Sequence, residues 1–167
     1  MPSSKELFKL DLTNKLILVR VDLNVPLFNG IVQDETRLQS VLPIIQKITK
    51  RAGKVVLCTH LGRPKGEYNK KYSLKPLIEP LSKALNFPIY FSPTCIGPEA
   101  EQTKKNLKEG EVLLLENLRF HKGEEINNKE FSEDLTLGID YFVNDAFSCS
   151  HRKHSSTVGV TSFLPSF

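Results

Sequence analysis

A chain of 167 residues, 40% hydrophobic and 25% charged, is long enough to bury a core and has the balance of a globular protein. Its 23 basic and 19 acidic residues leave a formal charge of only +4, too mild to mark a nucleic-acid or membrane-surface binder. Cys58, Cys95 and Cys149 are odd in number and widely spaced, which excludes a disulfide framework or zinc site as the simple reading and suggests a reducing compartment. No 18-residue apolar run occurs, and the opening Met1-Pro2-Ser3-Ser4-Lys5-Glu6 lacks the apolar stretch of a signal peptide, so a cytoplasmic protein without a membrane partner is expected.

The first strong element is Ile17-Leu18-Val19-Arg20-Val21-Asp22-Leu23-Asn24-Val25-Pro26. Its aliphatic start predicts a strand buried on both faces, and Pro26 stops it. Arg20, Asp22 and Asn24 alternate, so an extended backbone points them to one side. Phe28-Asn29-Gly30 reads as a turn, and Asp34 as the N-cap of a helix running to about Arg51. Leu38, Val41, Leu42, Ile45 and Ile48 form its buried stripe, Pro43 is expected to bend it, and Gly53 ends it. Arg37 falls in the first turn, where a cation opposes the helix dipole and gains from a bound anion.

Lys54 to Thr59 predicts the second strand, followed at once by His60-Leu61-Gly62-Arg63-Pro64. Ser73 is expected to cap a helix with Leu74, Leu77, Ile78, Leu81 and Leu85 inward, kinked or interrupted by Pro80. Phe87 to Phe91 is a short third strand, Gly97-Pro98 opens a polar helix ending near Leu107, and Glu111 to Leu115 is the fourth strand. Glu116-Asn117-Leu118-Arg119-Phe120-His121 follows it. A helix from about Asn128 to Leu137 and a fifth strand, Asp140 to Val143, lead to Asn144-Asp145 and a last loop holding His151, Arg152 and His154. Strands alternating with helices predict an α/β fold. It is a doubly wound, Rossmann-like three-layer architecture with a parallel sheet and helices on both faces, read here as one domain.

Parallel strands place their carboxyl ends on one edge, where open α/β sheets bind ligands. Arg20, Arg63 and Arg119 follow strand ends, and Arg37 and Arg152 come from neighbouring loops. Of the 23 basic residues only six are arginine, and these five share the edge. With few acids alongside, they are expected to repel one another unless a phosphate ester binds them through bidentate hydrogen bonds. Asp22 and Asn24 suit hydroxyls of the same small ligand. No Gly-x-x-x-x-Gly-Lys-Ser/Thr or Gly-x-Gly-x-x-Gly nucleotide motif is present. The residues themselves thus point to a small phosphorylated, hydroxylated metabolite. They leave open whether the site catalyses or only binds, as in a stand-alone anion-binding or regulatory domain. A nucleic-acid binder, suggested only by the pI of 8.9, fits converging arginines poorly.

Four stretches in order, Arg20-Val21-Asp22-Leu23-Asn24-Val25-Pro26, His60-Leu61-Gly62-Arg63-Pro64, Leu115-Glu116-Asn117-Leu118-Arg119-Phe120, and Asn144-Asp145-Ala146-Phe147 with His151-Arg152, resemble the N-terminal domain of phosphoglycerate kinase. The resemblance runs from about residue 7 to the end. It implies a phosphotransferase of glycolysis moving phosphate between 1,3-bisphosphoglycerate and ADP, with Mg²⁺. Asp22 and Asn24 would then hold the glycerate, and His60, Arg63, Arg119 and Arg152 its 3-phosphate. Arg37, also at the substrate, would be the catalytic group facing the transferring phosphoryl. Leu23 departs from the family's usual phenylalanine, Ser148-Cys149-Ser150 from a Gly-Thr-Ala type of sequence, and Lys153 from a small residue. Family members carry the ATP/ADP and Mg²⁺ sites in a C-terminal half. This chain is therefore expected to be a substrate-binding fragment, monomeric, with no metal or nucleotide of its own and no turnover alone.

Overall fold

The structure, a computed structural model, describes residues 4–146 and 152–167. The sequence expectations for Phe147, Ser148, Cys149, Ser150 and His151 lie outside the described residues. Seven strands occur among those described: β1 Leu16–Arg20, β2 Leu27–Phe28, β3 Ile31–Val32, β4 Lys54–Cys58, β5 Ile89–Ser92, β6 Val112–Leu115 and β7 Tyr141–Asn144. Five of them pair in parallel in the order β5-β6-β4-β1-β7. The helices are α1 Ser4–Leu7, α2 Thr36–Thr49, α3 Ile78–Leu85, α4 Pro98–Asn106, α5 Lys122–Glu125 and α6 Lys129–Thr136.

Strand periodicity divides the apolar side chains between two cores. Ile17, Val19, Val55, Leu57, Val112, Leu114 and Val143 pack with α2 and α3 on one face. Leu16, Leu18, Val56, Leu113, Leu115 and Phe142 pack on the other with Phe131 and Leu135 of α6 and with Leu107 just after α4. Every residue of β1 is buried, the pattern of a parallel strand covered on both faces. The doubly wound three-layer α/β fold expected from the sequence is the one formed.

Connections after β1 and β4 lead to α2 and α3 on the first face, whereas those after β5 and β6 lead to α4 and α6 on the second. Loops that leave neighbouring strands in opposite directions open a crevice at the carboxyl edge. Here that crevice falls between β4 and β6. The register keeps this edge level, with Arg20 opposite both Cys58 and Asn144, and Leu57 opposite Leu114.

Several local expectations are corrected. Asp34 is not the N-cap of α2. Its carboxylate accepts from the Thr36 backbone N–H at 2.9 Å and hydroxyl at 2.6 Å one residue earlier, and Glu35 takes the cap position without a side-chain bond. Ser73 does not cap α3 either: its hydroxyl donates to Glu116 at 2.6 Å and accepts from the Lys75 N–H at 3.2 Å, at the 3₁₀ turn Lys75–Leu77 that, after another at Lys70–Tyr72, precedes α3. Since α3 begins only at Ile78, Pro80 sits in its first turn, where the backbone N–H has no intrahelical partner to lose. Pro43 does lie inside α2, as expected, and the helix continues past it to Thr49. Asn29-Gly30, both at positive φ, turn a small antiparallel hairpin between β2 and β3, where only a turn was expected.

Candidate functional site

Three loops meet at the carboxyl edge, and backbone and side-chain hydrogen bonds lock them together. After β1 the alternation continues, so Val21, Leu23 and Val25 stay in the first core and Arg20, Asp22 and Asn24 take the opposite parity. The Leu23 N–H donates to Thr59 Oγ1 at 3.1 Å, and the Gly62 N–H to Asn24 Oδ1 at 3.0 Å. From the β6 side, the Asn117 amide donates to the carbonyls of Leu61 (2.7 Å) and Tyr72 (2.9 Å). Arg119 Nη1 donates to Gly62 O at 2.8 Å. Gly62 has φ +62°, and a Cβ there would come within 2.4 Å of the Tyr72 ring, so only glycine lets this turn form.

Glu116 anchors the arrangement from below. Buried, it accepts from the Ser73 hydroxyl and from the backbone N–H groups of Leu74 (2.7 Å) and Asn117 (2.8 Å). Together Glu116 and Asn117 fix the loop that carries Arg119. Neither was singled out from the sequence as a site residue, although both stand in the stretch that drew attention to Arg119.

The charged groups are arranged differently from the sequence expectation of arginines without acids. Arg37 Nη1 holds both carboxylate oxygens of Asp22, at 2.7 and 2.8 Å, so the anion favoured at the start of α2 comes from the chain itself. Arg119 Nε lies 3.5 Å from Glu125 Oε1. Arg20 is completely buried and works inside the protein rather than at its surface. It donates to Val21 O, to Ser156 Oγ at 3.0 Å, and from Nη2 to His60 Nδ1 at 2.8 Å. Arg63 is exposed and Arg152 half-buried, and neither forms a side-chain ion pair among the described residues.

His60 is the centre of the cluster. Burial is the largest force on its pKa, followed by the nearby charges of Arg20 and Arg119, with Asp22 opposing and Arg152 adding to them; together they push it down to about 3. Of these groups Arg20 meets the ring directly, at 2.8 Å, and the charges of Arg119, Arg152 and Asp22 lie near enough to act on it. Asn24 is tied in through Gly62 and Arg37 through Asp22. The structure thus brings Asp22, Asn24, Arg37, His60, Arg119 and Arg152 together, with Arg63 exposed beside Gly62.

The depressed pKa has a consequence for folding. The unfolded chain protonates His60 near pH 6.5 and the folded chain only near 3, so stability present above 6.5 is lost as the pH falls toward 3. The loss is expected to approach about 1.4 kcal/mol per pH unit from this residue. Burial also lowers the pKa of His121 and, as the largest cause, that of His154, so both act in the same sense. Glu124 and Asp145, raised chiefly by burial, act in the opposite one. Urea unfolding of the native chain and His60→Gln at pH 7 and pH 4 isolates the effect. The variant is expected to lose less stability between the two.

Two larger clefts, of about 810 and 1060 Å³, lie beside Lys75, Pro76 and the β2–β3 hairpin, and neither contains a residue of the arginine edge. Their volume reflects open surface rather than converging polar groups. Among the described residues no group of three or more His, Cys, Asp and Glu side chains could hold a metal, and no helix is long and apolar enough to cross a membrane.

Fold and site define a doubly wound α/β protein whose strand ends present a basic, donor-rich crevice. The family model for phosphoglycerate kinase matches residues 7–167, and the chain belongs to that family. It is similar to phosphoglycerate kinase of Brucella melitensis, 49% identical over 154 residues that make up 92% of this chain and 39% of that protein. Phosphoglycerate kinase of Azorhizobium caulinodans is 47% identical over 167 residues, 100% of this chain and 42% of that one. Among solved structures, phosphoglycerate kinase from Pyrococcus horikoshii superposes with a TM-score of 0.88 at 34% identity, over 96% of this chain and 41% of that one. The enzyme from Coxiella burnetii gives 0.83 at 36% identity, over 96% and 40%. The chain therefore spans about two fifths of the length of the curated relatives it matches.

Proposed function

We propose that this chain is the 3-phosphoglycerate-binding half of a phosphoglycerate kinase, acting in the cytoplasm on the reversible transfer between 1,3-bisphosphoglycerate and ADP. The observation that carries this reading is the cluster at the carboxyl edge, where Arg20 meets His60 at 2.8 Å, Arg119 holds Gly62 O at 2.8 Å, and Asn24 and the Asp22–Arg37 pair stand alongside. A phosphate ester relieves that concentration of positive charge, with Arg63, Arg119 and Arg152 as cationic donors and His60 as a donor without charge. Asp22 and Asn24 fit the glycerate hydroxyl and carboxylate end. Because both oxygens of Asp22 already meet Arg37, the two residues act as one unit.

A phosphoryl transfer of this kind needs positioning and charge stabilisation more than a covalent nucleophile. ATP or ADP with Mg²⁺ belongs, on this reading, to a second domain that closes over the crevice and excludes water. The working unit is a monomeric two-domain chain. Calorimetric titration with 3-phosphoglycerate, beside a random oligonucleotide, tests the reading. Binding of the first and not the second is expected, and the reverse would make the edge a nucleic-acid surface.

Arg119→Ala is expected to weaken 3-phosphoglycerate binding by roughly 1.5–3 kcal/mol, the range for charge-assisted hydrogen bonds. Arg51 is the control, because its guanidinium donates to Phe8 O and lies over the Phe8 ring at the opposite end of α2. Arg51→Ala is expected to lower thermal stability slightly and leave affinity unchanged. Equal losses of affinity from both would contradict a discrete site.

A further inference from the structure

Arg20 is charged, fully buried and out of reach of any ligand at the surface, yet three separate groups hold its guanidinium. On one side Nε donates to Ser156 Oγ. The Ser156 hydroxyl has a single proton, and its 2.5 Å contact to Glu124 Oε1 shows where that proton goes. The Ser156 backbone N–H donates to Glu124 Oε2 at 3.0 Å, so both carboxylate oxygens are occupied by one residue. Glu124 is itself buried, and through one hydroxyl it is the counter-charge to Arg20. On the other side Arg20 Nη2 meets His60 Nδ1. A guanidinium can only donate, so Nδ1 must be the acceptor and the ring proton must reside on Nε2.

We propose that Glu124, Ser156 and Arg20 form a buried positioning relay that fixes His60 in the Nε2–H tautomer, so that His60 meets an anionic ligand as an uncharged hydrogen-bond donor. Glu124 and Ser156 touch no ligand in this scheme and act only through Arg20 and His60. The groups facing His60 favour the same state, since Arg20, Arg119 and Arg152 all oppose a second proton and only Asp22 favours one. His154 Nδ1, 3.8 Å from Glu124 Oε1, closes the far end of the relay. The consequence is a phosphate contact that gives direction without adding to the repulsion among the arginines. The inference rests on the reading of His60 as a ligand contact, but its structural half is testable without any ligand.

The experiment is long-range ¹H–¹⁵N NMR on the ¹⁵N-labelled 167-residue chain, with the His60 signals assigned by their loss in His60→Gln. Between pH 5.5 and 8 the free chain is expected to show His60 in one neutral form, protonated on Nε2, with a trans-hydrogen-bond ¹⁵N–¹⁵N coupling from Nδ1 to Arg20. A ring protonated on Nδ1, a cationic ring at pH 6, or no coupling would overturn the relay, and these readings need no variant. Ser156→Ala, with Ser156→Cys as a near-isosteric second variant lacking a good acceptor, is expected to give mixed tautomers. Either variant should also weaken 3-phosphoglycerate binding about fivefold, the effect of one ordinary hydrogen bond. Variants that keep the single tautomer and full affinity would remove Ser156 and Glu124 from the account. A correct tautomer in a chain that fails to bind 3-phosphoglycerate would instead sink the functional reading and leave the relay standing.

Discussion

Arg37→Ala, made in the two-domain chain proposed above, is expected to lower kcat by about 10³-fold while moving KM for 3-phosphoglycerate only a few-fold, the outcome for an arginine that stabilises a transferring phosphoryl group. The expectation comes from the state of the residue before reaction. Arg37 is about half exposed and bound to Asp22 at 2.7 Å. An ion pair that open to water is worth no more than about 1 kcal/mol, so it can be exchanged for a stronger partner. A phosphoryl group gathering charge in the transition state is such a partner, and the ground-state substrate is less so. Asp22→Asn supplies the matching test, because it frees Arg37 but removes a glycerate contact. It is expected to raise KM more than it lowers kcat. If Arg37→Ala instead leaves kcat intact and weakens affinity alone, Arg37 belongs with Arg119 as a binding group.

The 167-residue chain by itself is expected to bind 3-phosphoglycerate and transfer no phosphate, an effect on turnover limited only by assay sensitivity. Two apolar cores, one on each face of the sheet, give the chain what it needs to fold without another domain. At the ligand edge, by contrast, Arg37 is about half exposed and Arg63 exposed, so bound charges stay in contact with water and affinity is expected to fall with added salt. The assay is ATP consumption with 3-phosphoglycerate and Mg²⁺, beside calorimetry on the same sample. Turnover that copurifies with the chain and vanishes in Arg37→Ala would place a nucleotide site within these residues.

Much of this molecule was legible in its sequence because buried parallel strands announce themselves as aliphatic runs. All five strands of the main sheet overlap the predicted stretches, with β1, β5 and β7 each extending one residue beyond them, and α2 follows its Leu38, Val41, Leu42, Ile45 and Ile48 stripe. Two of the failures share one physical cause. Ser73 has the chemistry of a helix cap and does accept from the nearby Lys75 N–H, but its proton goes to Glu116, 43 residues away, a carboxylate that local reading cannot foresee. Arg37 and Asp22 lie 15 residues apart on different elements, so the acid that pairs with the arginine was counted as a hydroxyl binder.

The relay to His60 was not legible at all. Glu124 sits in a charged stretch, Lys122-Gly123-Glu124-Glu125, that reads as a solvated surface, and Ser156 in a run of small polar residues. Only the fold reveals that both are buried beside Arg20. Arg20 in turn stood out for the right reason and the wrong role. Its position at a strand end is correct, but its guanidinium turns inward to Ser156 and Val21 O, although it shares the parity of Asp22 and Asn24.

The most direct test of the central claim is an amide chemical-shift map of the chain titrated with 3-phosphoglycerate. The account predicts saturable shifts confined to the carboxyl edge, at residues 20–24, 60–63, 117–119 and 152, with Arg37 joining them. Shifts gathered instead around Lys70, Lys71 and Lys75 at the larger clefts, or none at all, would contradict it.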